Sequence, residues 1–179
     1  MASVELPTLD TSRCRLRRWT PGDAPALREA CGDEDMCRFT TVPHLYSKSA
    51  ALQWIERQHA HARGGTAIVL AIIPSGDDEP VGMVGLFGLD EPERVPRFGS
   101  RLLARARSRG LATSAAQALG EWAFMDLGVE VIAIDCEPTN NASARVATHL
   151  GATLTGSRRV RVRGAELELD RYTLTRMPS

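Results

Sequence analysis

The sequence predicts a single domain of mixed α/β class. Three observations carry that prediction. Segments with alternating or continuous apolar residues are interleaved with segments of helical period, in the order β-α-α-β-β-β-α-β-α-β-β. The 179 residues suit one domain of ordinary size, and 43% are hydrophobic, enough for a real core. No repeat, low-complexity segment or linker interrupts the chain, so residues 1–179 are expected to form one unit.

Each element has its own signal. Residues 13–19 (RCRLRRW) alternate charged and apolar side chains and read as a first strand. Thr20, Pro21 and Asp23 follow as N-cap, N1 and N3 of a helix, with Asp standing for the usual Glu of a capping box. That helix runs to about Cys31 and stops at Gly32, and residues 38–46 read as irregular. Ser47 or Ser49 caps a second helix, with Leu52, Ile55 and His59 on one face and Gly64-Gly65 at its end. From Thr66 the period changes: TAIVLAII is a buried strand and residues 75–80 are a turn. Residues 81–89 form the next strand, with Gly82, Gly85 and Gly88 leaving room for close backbone or ligand approach. A charged loop leads to the strand FGSRLLA. A long helix over 111–127 carries the apolar stripe Ala115, Leu119, Trp122 and Ala123 and stops at Gly128. Residues 129–137 are a strand, a short helix ends at Gly151, and two strands joined at Arg163-Gly164 close the chain.

Composition excludes several classes. Lys+Arg and Asp+Glu balance at 22 each, so net charge predicts no general attraction to nucleic acid or anionic membrane. The first residues have no apolar core of a secretory signal, and no run approaches the ~20 apolar residues of a membrane span. Cys14, Cys31, Cys37 and Cys136 form no CxxC pair and no zinc pattern, so no metal site is expected. Reduced thiols in a cytoplasmic protein are the expectation.

One stretch concentrates charge where a helix begins: RLLARARSRGLATSAAQALGEWAF, with Arg101, Arg105, Arg107 and Arg109. Gly110 permits a tight backbone path. The first helical turn leaves N–H groups without intrahelical partners, and the helix dipole adds partial positive charge there. With Arg107, Arg109 and the Thr113 hydroxyl, these features make an anion cradle suited to phosphate. The dinucleotide fingerprint GxGxxG early in a βαβ unit is absent, and so is the Walker A motif.

RSRGLA resembles the R/Q-x-x-G-x-G/A pyrophosphate motif of the GNAT N-acetyltransferase superfamily. The strand-plus-helix stretch from Phe98 to Phe124 resembles the ribosomal-protein N-terminal acetyltransferase branch, the RimJ/RimL type. A second motif of that branch, N-x-S-x-R-V before L-G, stands at Asn141, Ser143, Arg145, Val146, Leu150 and Gly151. The opening RCRLRRWTPGD and the AALQWI helix fit as well, so the resemblance spans nearly the whole chain in order.

The resemblance implies a GNAT-like, mostly antiparallel sheet of about seven strands, with flanking helices and a splayed central strand pair. Acetyl-CoA would lie in the splay as co-substrate. The backbone of Leu102 and Leu103 would pair with the pantetheine amides. The N–H groups of Arg107, Ser108, Arg109, Gly110, Leu111 and Ala112, with Thr113, would hold the pyrophosphate. Asn141 would meet the pantetheine arm, although Asn also favours the N-cap of the helix that follows. Ser143 would protonate the leaving thiolate or serve as a structural hydroxyl. Glu91 is the candidate base, chosen from Asp90, Glu91, Glu93, Asp135 and Glu137. His44, Tyr46 and Arg101 are the candidate acceptor wall; His59 and His61 read as packing or surface residues. Where the branch has G-Y-W-L, this chain has Gly99-Ser100-Arg101-Leu102, so the acceptor wall differs, and Leu150-Gly151-Ala152 replaces LGF, which empties space near the cofactor.

The function so implied is transfer of acetyl from acetyl-CoA to a primary amine, a protein N-terminus or a small molecule, within a ternary complex. A homodimer is compatible with it. Two alternatives stay open. The arginines at 94–109 and 158–163 would serve tRNA if they merged, in a fold that moves an aminoacyl group. A non-catalytic acyl-CoA-binding module would bind CoA without turnover.

Overall fold

The computed structural model describes residues 4–32, 47–93, 95–162 and 164–176. Eight strands form one sheet: β1 Leu9–Asp10, β2 Cys14–Arg18, β3 Ala67–Pro74, β4 Gly82–Phe87, β5 Arg97–Leu102, β6 Val131–Cys136, β7 Thr153–Val162 and β8 Ala165–Thr175. Among the described residues, four α-helices flank it: α1 Ala24–Gly32, α2 Lys48–Arg63, α3 Leu111–Asp126 and α4 Asn141–His149. The sheet order is β1-β2-β3-β4-β5-β6-β8-β7. Every neighbouring pair is antiparallel except β5 and β6. The strand count exceeds the expected seven by the two-residue β1, too short to leave a period in the sequence.

β3 explains the layering. All its residues are buried because both faces of the strand are covered. Ile68, Leu70 and Ile72 enter a core with Leu111, Ala115, Leu119 and Ala123 of α3 and Ala147 of α4. Val69, Ala71 and Ile73 face the other way, onto Trp19, Leu27, Ala51 and Ile55. The sheet is thus the middle of three layers, with α1 and α2 on one side and α3 and α4 on the other. Each fully buried Leu or Ile contributes about 1.5–3 kcal/mol.

The helix starts follow local chemistry. A 3₁₀ turn, Pro21–Asp23, leads into α1. The Asp23 carboxylate accepts from Thr20 N–H at 2.7 Å and from the Thr20 hydroxyl at 2.9 Å, and Arg17 grips it at 2.7 and 2.9 Å. Burial pushes the Asp23 carboxyl up, but Arg17 and Thr20 outweigh it, so the group lies below its ordinary value. Ser47, not Ser49, caps α2 by accepting Ala50 N–H at 3.1 Å. The packed face of α2 is Ala51, Ile55 and Ala62, with Trp54 against Trp19 in an edge-on contact of 5.4 Å. The expected Leu52 is instead exposed, one helical position off the stripe. His59 packs as expected, its Nε2 2.9 Å from the Trp19 carbonyl.

The glycines of β4 serve protein rather than ligand. A Cβ on Gly82 would strike the Arg101 carbonyl, and one on Gly85 would come 2.7 Å from the Ile68 carbonyl. Neighbouring strands close over these positions.

Candidate functional site

The parallel pair marks the site. β5 and β6 pair only at Arg97 with Ala133 and Phe98 with Ile134. β5 then continues to Leu102 and β6 to Cys136 with no further register between them. The ladder opens into a gap at the carboxyl ends of both strands. Each strand feeds a helix from that end, so the first turns of α3 and α4 flank the gap.

The side of β5 that faces the gap follows from its hydrogen bonds. Leu103 N–H bonds the Val81 carbonyl at 2.9 Å, toward β4. The Pro96 carbonyl accepts from Ala133 N–H at 2.9 Å, toward β6. Alternation then turns the backbone groups of Phe98, Ser100 and Leu102 toward β6. Leu102 faces the gap, although its carbonyl already accepts from Arg107 Nε at 3.1 Å. Leu103, expected to join it, spends its N–H on the sheet. Ser100 is the residue that sequence reasoning overlooks, and strand parity would have found it.

Between β5 and α3 the chain makes a 3₁₀ turn, Ala104–Ala106, where a longer strand is expected. The cradle then forms. Ser108 has φ +60° and Gly110 has φ +73°; among the described residues Ser108 is the only non-glycine with positive φ. That conformation costs an L-residue about 1–2 kcal/mol. These two left-handed residues lie just before the positive end of α3, the backbone pattern from which anion-binding turns are built. The amides of Leu111, Ala112 and Thr113 are first-turn donors without intrahelical acceptors. Leu111 is buried beneath, and Ser108, Arg109 and Gly110 are exposed above. The arginines of this stretch divide their work: Arg105 forms a two-bond pair with Glu29 of α1, at 2.8 and 2.9 Å, while Arg107 and Arg109 stand at the exposed rim.

At the other helix the cap is Asn140, whose Oδ1 accepts Ser143 N–H at 3.1 Å. Asn141 is therefore the first residue inside α4, exposed, and free of the capping duty. Ser143 lies in the same first turn, half-buried.

The candidate base has a partner. Glu91 Oε2 and Oε1 accept from Arg97 Nη1 and Nη2 at 2.6 and 2.7 Å. This guanidinium holds the Glu91 carboxyl below its ordinary value, which works against proton abstraction near neutral pH. Asp135, on β6, accepts from Arg171 at 2.8 and 2.9 Å and lies 3.4 Å from Arg158. Arg101 is half-buried on β5 opposite Met83, and burial draws its pKa below the ordinary value. His44 and Tyr46 lie outside the described residues.

The arginine-rich strand β7 is balanced across the ladder. Arg159 stands opposite Glu168 and Arg161 opposite Glu166. Opposite charges so placed lower the net positive charge of this strand pair. Among the described residues, no group of three or more His, Cys, Asp or Glu is arranged to hold a metal ion. No described helix is long and apolar enough to cross a membrane.

The match that decides the family covers residues 13–153, with the acetyltransferase (GNAT) domain. The chain belongs to the GNAT acetyltransferase family. A GNAT enzyme transfers acetyl and takes acetyl-CoA as co-substrate. The chain is 26% identical over 145 residues to the uncharacterized N-acetyltransferase p20 of Bacillus licheniformis, covering 81% of this chain and 82% of the relative. Among solved structures it is similar to the microcin C7 self-immunity acetyltransferase MccE in complex with acetyl-CoA and AMP. That match has a TM-score of 0.80 and 20% identity, and covers 92% of this chain and 93% of the other. It is also similar to RimL, a ribosomal L7/L12 alpha-N-protein acetyltransferase, in complex with coenzyme A. There the TM-score is 0.80 and the identity 16%, covering 94% and 98%.

Proposed function

We propose that this GNAT enzyme moves the acetyl group of acetyl-CoA onto a primary amine, by direct attack within a ternary complex. The observation that carries the reading is the opened β5–β6 ladder with two helix N-termini at its mouth. The cradle of residues 107–113 would hold the pyrophosphate on backbone amides, with Arg107 and Arg109 at the rim. The gap-facing backbone of Ser100 and Leu102 would line the pantetheine arm, and exposed Asn141 would meet it from α4. Ser143 would give its proton to the departing thiolate.

The protein's work is mainly alignment. Fixing amine and thioester at contact distance converts a bimolecular step into an intramolecular one. Backbone donors aimed at the carbonyl oxygen stabilise charge as it develops there. Glu91 belongs to this reading as a wall residue that fixes Arg97; its ion pair argues against the role of base. Arg101, with His44 and Tyr46, is proposed for the acceptor side. RimL, an alpha-N-protein acetyltransferase, supports a protein N-terminus as one acceptor class, a small-molecule amine is the other, and Arg101 in place of an aromatic favours an anionic acceptor.

The test is calorimetric titration of acetyl-CoA and CoA into the wild type and Gly110→Trp, followed by thiol release with a panel of amines and N-terminal peptides. Micromolar binding lost in the variant, with turnover of an amine, is the expected result. Binding without turnover on any amine would replace this reading with a non-catalytic acyl-CoA-binding module.

A further inference from the structure

Arg13 comes from the turn between β1 and β2, nearly a hundred residues from the cradle, yet its side chain lies against Gly110. A Cβ placed on Gly110 would sit 3.5 Å from Arg13 Nε and 3.6 Å from Cδ and Cζ. The position is built. Arg13 N–H donates to Thr11 Oγ1 at 3.1 Å, and the Arg13 carbonyl accepts from Ser75 N–H at 2.9 Å. Thr11 Oγ1 also accepts from Ser114 Oγ at 3.0 Å, which fastens this turn to the first turn of α3. The arginine that results is exposed and has no carboxylate partner among the described residues.

Electrostatically the arrangement is unfavourable by itself. A guanidinium stands against Gly110 at the positive end of a helix dipole, where acidic groups are normally preferred. Other arginines nearby are compensated: Arg15 by Asp10, Arg17 by Asp23 and Arg105 by Glu29. A polyanion at the cradle would reverse the sign of the interaction. A guanidinium is also the side chain best shaped for two hydrogen bonds to a phosphate.

We infer that Arg13 is a phosphate-binding residue of the donor site, a guanidinium that the β1–β2 turn delivers across the top of Gly110 to the phosphates of CoA. The inference rests on the donor site proposed above. Two sources of phosphate are present in that ligand, the pyrophosphate and the 3′-phosphate, and the experiment separates them.

The experiment measures binding of CoA and dephospho-CoA to wild type, Arg13→Ala and Arg13→Lys, and the kcat/KM for acetyl-CoA and for S-acetylpantetheine, which has no phosphate. For Arg13→Ala we expect CoA affinity to fall by roughly ten- to a hundredfold, the usual worth of a charged hydrogen bond. Arg13→Lys should recover part of it, and the wild-type salt dependence should flatten in Arg13→Ala. The ratio of the two kcat/KM values should fall by the same factor. An equal loss for CoA and dephospho-CoA assigns the contact to the pyrophosphate; a loss confined to CoA assigns it to the 3′-phosphate. Unchanged CoA binding in Arg13→Ala would overturn the inference while leaving the donor site standing. So would an equal loss with acetyl-CoA and S-acetylpantetheine, since that reports a damaged fold. A wild type that binds no CoA removes the donor site and this inference together.

Discussion

Arg97 holds Glu91 by two hydrogen bonds of 2.6 and 2.7 Å across the loop that enters β5. A carboxylate so held is a poor proton acceptor. Glu91→Gln is therefore expected to keep kcat within about threefold of wild type, against the 10²–10⁴ normally lost with a general base. The pH–rate profile should keep its position. A hundredfold fall in kcat with a displaced acidic limb would restore Glu91 as the base.

Gly110 sits at φ +73°, with the Arg13 side chain at ordinary contact distance from where a Cβ would be. Gly110→Ala has space but not the backbone, and should lose about 1–2 kcal/mol of stability, read as a lower Tm. Gly110→Trp should add a steric block and weaken CoA by at least about a hundredfold, near 2.7 kcal/mol. Equal CoA affinity in wild type and Gly110→Trp would mean the cradle lies elsewhere.

Ser143 is proposed to protonate the leaving thiolate. Ser143→Ala should lower kcat roughly 10²-fold with the acetyl-CoA Kd unchanged. Thioesters with a more acidic leaving thiol should narrow the deficit, because they need the proton less. A deficit that is the same for every thioester would remove Ser143 from the protonation step.

Asp23 gives a pH prediction. Its folded pKa is depressed below the unfolded value of about 3.9. The stabilisation is therefore complete above the unfolded value and is lost as pH falls through the folded one. Asp23→Asn should unfold more easily near neutral pH, by about 3 kcal/mol, since it leaves a partly buried Arg17 without its charge partner. Denaturant titrations from pH 6 down to 2 should show a flatter acid limb for the variant. Parallel curves would exclude Asp23 from the acid transition.

Much of this molecule was legible in local pattern. Thr20-Pro21-Gly22-Asp23 announces its helix start by composition, and β3 announces double-sided burial by a run of apolar residues. The element order and the cradle before α3 follow from period and from Gly110. Other features depend on contacts between distant segments. Glu91 looks like any loop carboxylate until Arg97 folds back on it. Asn140 and Asn141 are chemically identical as caps, and only the entry angle of α4 selects the first. Leu103 and Ser100 exchange roles because strand parity is fixed by the Leu103–Val81 bond. Arg13 meets Gly110 only because α3 crosses back over the β1–β2 turn.

The two-pair seam between β5 and β6 has a mechanical side. The sheet is two plates, β1 to β5 and β6 to β8, joined by a short hinge line and otherwise by side chains such as Phe98 and Ile134. Stress applied to one plate reaches the other through packing, with little help from the ladder. A ligand bound at the open end, as proposed, would touch both plates at once, so its occupancy should be felt as stiffness in strands it never contacts.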